Sequence, residues 1–254
     1  MTQKNLSSGA KILIMVALAL LVAAAYTIFG LRFSNARLLH YQLAKRIPKL
    51  IVIALTAFSI GSASIVFQSV INNTIVTPCL LGMDALYTLV HTLVYFFAGA
   101  ASILVTNKQI SFAVDLVIMA VVSLLIYSYI FKKTGSNVLY VILIGTVLTS
   151  FFGSVQSTVT RIMDPNAYET LLTTLVGPLA FLGLIIENLS RQLMQTYRHS
   201  LLITASVLFG MIVLLGGQFL VERVFSYNVP VSVFITTGGG IYFLYLLIAK
   251  KKPY

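Results

Sequence analysis

The sequence predicts an all-α fold, a polytopic transmembrane helical bundle. Apolar residues make up 59% of the 254 residues and charged residues only 9%, against roughly 45–50% and about 25% in soluble domains. The apolar residues form continuous runs, without the alternation of transmembrane β-strands. A helix across the roughly 30 Å hydrocarbon core needs about 20 such residues. Eight runs, the sixth of them short, nearly fill the chain: 12–31, 50–71, 84–104, 112–131, 138–160, 177–190, 200–221 and 232–249.

The first run follows Lys4 and Lys11 and could be mistaken for a signal peptide. No small-residue cleavage site with a polar mature domain follows it, which favours a retained helix. The second and third runs contain clusters of small residues at 61–64 and 98–102. Small residues let helix backbones approach closely in lipid, so these clusters indicate tight packing.

Composition and motifs exclude several function classes. The formal charge is +11, but the basic residues are scattered between apolar runs and do not form the basic face of a nucleic-acid-binding protein. The single cysteine, Cys79, excludes an internal disulfide and a Cys-rich metal site. The three histidines lie far apart, and we predict no catalytic residue and no bound metal. The phosphate-binding motif Gly-x-x-x-x-Gly-Lys-Ser/Thr is absent.

Charge predicts the orientation only weakly. An even number of spans places both termini on one side, and the basic tail 250–252 marks that side as cytoplasmic. Nine basic residues then lie inside and eight outside. The inner ones include Lys132, Lys133, Arg191 and Arg198, whereas the first external loop is also basic. An acidic docking partner outside the membrane would explain that loop.

Two ionisable residues lie within the apolar runs. We expect Asp115 near the membrane interface, because a carboxylate at a helix centre costs about 2.5–3.5 kcal/mol on insertion scales. His91 is interpreted as a packed or pore-facing histidine, and a proton relay is the less favoured alternative.

Three separated segments resemble the FecCD-type permeases, the membrane subunits of ABC importers for ferric siderophores, haem and vitamin B12. Residues 46–82 match the opening signature with Arg46, Pro48, Gln68 and Gly82 in register, although Thr74 replaces a proline. The segment VGPLAFLGLIIENLSR at 176–191 matches a Gly-Pro-x-x-Phe-x-Gly-Leu motif. The segment at 228–247 matches the last span. The segments FQSVINNTIVTP at 67–78 and GMDALY at 82–87 are similar to the branch that serves iron and catechol-type siderophores.

The resemblance implies a permease subunit of a type II ABC importer in the bacterial cytoplasmic membrane. It implies a second permease, which we expect to be a homologous partner in a heterodimer, and two ATPase subunits that bind ATP and Mg. It also implies an extracytoplasmic substrate-binding protein, a lipoprotein in a Gram-positive source. This chain would bind no cofactor and catalyse no reaction, and transport would proceed by alternating access.

The family carries basic docking pockets for glutamates of the binding protein, and the resemblance places Arg46, Lys49 and Arg223 in that role. Snorkelling of long basic side chains at the membrane interface is the alternative for these residues. Charge pairing at a wet rim would act more on orientation and association rate than on affinity.

Polar residues of two spans are candidates for the translocation path. Thr146, Ser150 and Ser154 are spaced by four and therefore share one face of a helix. Interhelical hydrogen bonding is the alternative role. By family analogy, the cytoplasmic gate or the ATPase-facing side would involve Lys132, Lys133, Arg191 and Arg198. The amides expected on the path are Gln68, Asn72 and Asn73.

The chain departs from the family in length. The family has ten spans, whereas this chain, treated as one permease domain over 1–254, has eight. Two helices and the coupling loop between them are missing near 170–177, where VGPLAF follows DPNAYETLLTTL directly. A bundle without two central helices should not hold together, so we favour a sequence that omits residues of the protein over a true deletion. Consecutive Cα atoms 3.8 Å apart across this junction would argue against omission.

Other functions stay open. A permease for haem or a cobalamin-like chelate fits the same motifs. A secondary transporter would show paired ionisable groups at the membrane midplane or discontinuous helices. An intramembrane enzyme needs a nucleophile–base pair or metal ligands, and His91 alone does not supply one.

Overall fold

A computed structural model describes residues 7–31, 36–73, 76–99, 102–135, 137–174, 179, 181–225 and 230–249. These residues contain ten α-helices and one short 3-10 helix, and this part of the chain confirms the all-α prediction. The α-helices are α1 (Ser8–Ile28), α2 (Ala36–Ile71), α3 (Met83–Ala98), α4 (Ile103–Thr106), α5 (Lys108–Thr134), α6 (Val138–Ile162), α7 (Pro165–Thr174), α8 (Leu182–Met194), α9 (His199–Arg223) and α10 (Val231–Ala249). The 3-10 helix is Pro78–Leu81.

Each of the eight apolar runs contains a helix. Helices α1, α2, α5, α6 and α9 are long and apolar enough to cross a membrane, whereas α3 and α10 are shorter apolar helices. The chain is therefore a multi-pass membrane protein. The longest helix, α2, has 36 residues and a length of about 54 Å at 1.5 Å per residue.

Two predicted spans have different bounds in the structure. The run at 84–104 is not one helix, because α3 ends at Ala98 and Gly99 caps it with a φ of +77°. In the run at 177–190, helix α8 begins at Leu182, after Phe181 with a φ of +66°. Glycine favours the left-handed backbone region, and for this reason Gly99 ends an apolar stretch that hydropathy alone would continue.

The chain forms two compact units. The first contains residues Met1–Ser69 and Leu179–Tyr254, and the second Val70–Pro178. In the first unit, small residues bring α2 close to its neighbours: a Cβ added to Gly61 would meet Ser206 of α9, and one added to Gly183 of α8 would meet Ser64. Such close contacts are the usual basis of helix association in lipid.

The helices of the first unit have two distinct ends. At one end, Lys11 of α1 donates to the Leu193 carbonyl of α8 (2.8 Å), and Ser69 Oγ lies 3.3 Å from His199 Nδ1. The end of α2 therefore lies beside the start of α9. The other end gathers the C-termini of α1 and α9 beside the first half of α2, and this end holds the candidate site.

The second unit packs α3, α5 and α6 together with the 3-10 helix. A Cβ added to Gly145 of α6 would lie 2.8 Å from Leu81. The Tyr127 hydroxyl of α5 donates to the Leu81 carbonyl (2.7 Å). These contacts fix the turn before α3 against the neighbouring helices.

The interior of the second unit contains an ionic contact that the sequence did not predict. His91 Nδ1 of α3 lies 2.5 Å from Asp115 Oδ2 of α5, and both side chains are buried. The Asp115 carboxylate is buried against His91, and a buried carboxylate is costly unless it has such a hydrogen-bond partner. The expectation that Asp115 lies near the membrane interface stays a prediction.

Candidate functional site

Arg46 of α2 binds the end of α1. Its guanidinium donates to the carbonyl oxygens of Tyr26 (3.1 Å), Thr27 (2.8 Å) and Phe29 (3.0 Å). The last carbonyls of a helix have no intrahelical donor and carry the negative end of its dipole. All three contacts are made by Nη1, whose two N–H groups are shared among the three oxygens, and the positive charge of the guanidinium favours this negative end of the helix.

Arg223, the last residue of α9, reaches the same helix end. Its Nη2 donates to the Phe29 carbonyl (2.5 Å), and its guanidinium carbon lies 5.5 Å from the centroid of the Phe29 ring. Two of the three predicted docking residues therefore converge on one helix terminus.

Lys49, the third, pairs with an acid that the sequence reading overlooked. Its Nζ lies 3.1 Å from Glu222 Oε1, and the side chains are 47% and 8% exposed. Glu222 also accepts from the Tyr26 hydroxyl (3.1 Å) and from Gln218 Nε2 (2.7 Å). The sequence does contain a signal for Glu222. The chain has only six acidic residues, and this one lies directly after an apolar run.

A cavity of about 190 Å³ opens beside these residues. The Lys45 ammonium lies 4.5 Å from the centroid of the Tyr41 ring. We call Lys45, Arg46, Lys49, Glu222 and Arg223 the basic cluster. The residues that line the cavity are Tyr41, Gln42, Lys45, Arg46, Lys49 and Glu222. Three cations against one carboxylate make the cavity suitable for a further carboxylate.

The predicted path residues of α6 form an exposed polar stripe in the second unit. Each hydroxyl donates to a carbonyl of the preceding turn: Thr146 to Leu143 (2.8 Å), Ser150 to Thr146 (3.1 Å) and Ser154 to Ser150 (2.8 Å). Thr158 continues the stripe in the same way. These internal bonds leave a face that is polar but offers few strong donors.

The three predicted path amides differ in burial. Gln68 is 2% exposed, and both polar atoms of its side chain lack a hydrogen-bond partner. Asn72 is exposed, ends α2 and has a φ of +53°. Asn73 is half-buried. The roles of these amides on a translocation path remain predictions.

The residues predicted on the cytoplasmic side lie at helix ends. Lys132 and Lys133 are exposed in the last turn of α5, where the negative end of the helix dipole stabilises their positive charges. Arg191 donates twice to buried Glu187, at 3.0 and 2.7 Å. Arg198 is exposed immediately before α9. Among the described residues no group of three His, Cys, Asp or Glu side chains could hold a metal.

The fold and these polar ends define a multi-pass membrane protein of the transporter class. A model of the FecCD transport family matches residues 11–177 and 170–249. The chain therefore belongs to the FecCD transport family, as the motif resemblance predicted.

Individual relatives agree with this assignment. The chain is 32% identical to the petrobactin import system permease protein YclO of Bacillus subtilis, over 93% of this chain and 98% of the relative. It is 23% identical to the petrobactin import system permease protein FatC of Bacillus anthracis, over 82% and 78% of the two chains. A solved chain assigned to a metal-chelate type ABC transporter in an inward-facing conformation has a similar fold. Its TM-score is 0.74 at 16% identity, with 95% of this chain and 99% of the solved chain covered.

The comparisons also bear on the length of the chain. The alignment with YclO extends over 309 residues, more than the 254 of this chain, so parts of YclO have no counterpart here. The two matches to the family meet at 170–177. Residues 175–178 lie outside the described part of the structure, so the Cα test at this junction is not answered and the missing helices remain a prediction.

Proposed function

We propose that the chain is the transmembrane permease subunit of an ATP-driven importer that brings a ferric siderophore across the bacterial cytoplasmic membrane. One observation carries the proposal: a multi-pass helical chain aligns over almost its whole length with a relative named as a petrobactin import permease. Membership of the FecCD transport family supports it. Ferric petrobactin is accordingly the first cargo to test.

The basic cluster is the proposed docking side. Its members lie at one end of the first unit, where α1 and α9 finish, and the lining of its cavity carries an excess of positive charge. A binding protein with acidic side chains would be attracted to this end and oriented by it. Such charge complementarity increases the association rate and fixes the binding register.

The α6 stripe is the proposed wall of the translocation path. Its hydroxyls are exposed and already donate to carbonyls of their own helix. They would therefore contact a bulky chelate without binding it strongly. The stripe would face a second permease subunit, which we expect to be homologous but not identical.

The opposite end of the first unit is the proposed cytoplasmic side. Lys11, Leu193 and His199 lie there, away from Arg46 and Glu222, as expected if both termini are cytoplasmic. Two ATPase subunits would bind on this side. They would bind ATP and Mg and hydrolyse the ATP, because the sequence of this chain has no phosphate-binding loop. The coupling loop would belong to the segment proposed to be missing near 170–177.

Reconstitution tests the proposal. The chain, its partner permease and the ATPase would be placed in liposomes with the binding protein outside and ATP inside. We expect uptake of ferric petrobactin and ATP hydrolysis that increases when the binding protein is loaded. An ATPase variant unable to hydrolyse ATP is the control and should abolish uptake.

Two results would contradict the proposal. Uptake without nucleotide would identify a secondary transporter. Uptake of haem or cobalamin, with ferric siderophores rejected, would replace the cargo while retaining the importer.

A further inference from the structure

On the basis of the proposed function, we infer that the binding protein is first contacted by the projecting start of α2, residues 36–45, and that Tyr41 and Lys45 receive one of its carboxylate side chains. Arg46 and Arg223, in contrast, position the end of α1. We call residues 36–45 the projecting segment.

The projecting segment continues α2 past the described ends of α1 and α9. Arg46 lies level with the last carbonyls of α1, and Lys49 lies level with Glu222 at the end of α9. The helix continues for ten residues before Arg46, which corresponds to about 15 Å at 1.5 Å per residue. Among the described residues of these three helices, the projecting segment therefore reaches farthest along the axis of α2.

The basic residues behind the segment already have internal partners. Arg46 donates to three carbonyls, and Arg223 donates to one of the same three, that of Phe29. Lys49 is paired with Glu222. A docking carboxylate that used Arg46 would compete with the partly buried carbonyls of Tyr26 and Thr27 for its N–H groups, and breaking those hydrogen bonds is costly.

Tyr41 and Lys45 are placed differently. Tyr41 is 56% exposed, and Lys45 is exposed with its ammonium over the Tyr41 ring. The ring holds the ammonium at the rim of the cavity by a cation–π contact. An incoming carboxylate could accept from the Lys45 ammonium and the Tyr41 hydroxyl together.

Charge favours an acidic partner. The segment and the residues up to Lys49 contain Arg37, His40, Lys45, Arg46 and Lys49, and no acid. The partner is therefore expected to present Asp or Glu side chains to this surface.

Position favours a protein over lipid headgroups. The apolar run 50–71 spans about 33 Å and already covers the hydrocarbon core. Tyr41 lies nine residues before Leu50, about 13 Å farther along the helix axis. The headgroup layer is only about 5–7 Å deep on each side, so the tip of the segment lies beyond it.

The test uses the complete importer in nanodiscs and measures the Kd of the loaded binding protein at low and high salt. The variants are Lys45→Glu and Tyr41→Ala, with Lys45→Arg as the conservative change. The matched control is Arg161→Glu, which makes the same charge change at an exposed residue of α6. Thermal stability of each variant identifies misfolding. Nanodiscs of neutral and of anionic lipid are compared.

We expect Lys45→Glu to weaken binding by about tenfold, mostly through slower association at low salt, without loss of stability. Lys45→Arg should bind normally, Tyr41→Ala should weaken binding a few-fold, and Arg161→Glu should have no effect. Unchanged binding by the Lys45 and Tyr41 variants would overturn the inference, as would an effect of Lys45→Glu that appears only in anionic lipid. If the unmodified importer shows no response to the binding protein, the proposed function itself fails.

Discussion

Substitution of Glu222 by alanine tests whether this carboxylate organises the basic cluster. The change removes the acceptor of Tyr26, Lys49 and Gln218. Tyr26 is 2% exposed, and loss of a hydrogen bond from a buried hydroxyl to a carboxylate costs about 1.5–3 kcal/mol. Lys49 is 47% exposed, so its share is at most about 1 kcal/mol. We expect a total loss of about 2–3 kcal/mol in the free energy of unfolding.

A second variant separates this explanation from general damage. Tyr26→Phe should be destabilising by about 0.5–1.5 kcal/mol in the natural chain, because it removes one hydrogen bond. In the Glu222→Ala background it should cost much less, because the hydrogen bond to Glu222 is already absent. The assay is unfolding by sodium dodecyl sulfate in mixed micelles, followed by circular dichroism. If Tyr26→Phe costs the same in both backgrounds, Glu222 is not the partner that Tyr26 depends on.

Three further predictions concern packing, a buried ion pair and a thiol. Gly183→Ala should cost about 1–3 kcal/mol of stability in the same unfolding assay, because the new methyl would collide with Ser64 Oγ; Ser64→Ala in the same chain should recover part of that loss, and no recovery would point to another cause. His91→Ala should cost about 3–5 kcal/mol by leaving Asp115 buried without its partner, whereas replacing both residues by leucine should cost much less; equal losses would contradict the pairing. Burial, with a smaller contribution from a nearby carboxylate, raises the pKa of the Cys79 thiol to about 12, so maleimide labelling should be slow at pH 7 and accelerate about tenfold per pH unit up to the limit of folding; fast labelling at pH 7 would show an exposed thiolate.

The spans were predictable because hydropathy is a local sum over about 20 residues. Their ends were less so: the third apolar run continues past Ala98, but Gly99 takes a left-handed conformation and ends the helix. The sixth run likewise begins before the helix that it contains. Local backbone conformation decides such ends, and average hydropathy does not record it.

The candidate site was partly predictable. The motif placed Arg46, Lys49 and Arg223 in one role, and the structure brings them to one end of the first unit. Their partners were not predictable, because Glu222 is 173 residues from Lys49 in the chain. The contact of Asp115 with His91 was not predictable for the same reason, since the two residues lie on different helices.

The sequence by itself determined that this is a membrane protein, that it is helical and which family it belongs to, because these properties depend on composition and on short motifs along the chain. The tertiary structure alone decided which charged groups are already engaged and which face outward. A charge in or near lipid is stable only beside a partner, and only the packing of distant helices determines which partner that is. For this reason Arg46 holds a helix end, while Lys45, one residue earlier, lies at the exposed rim.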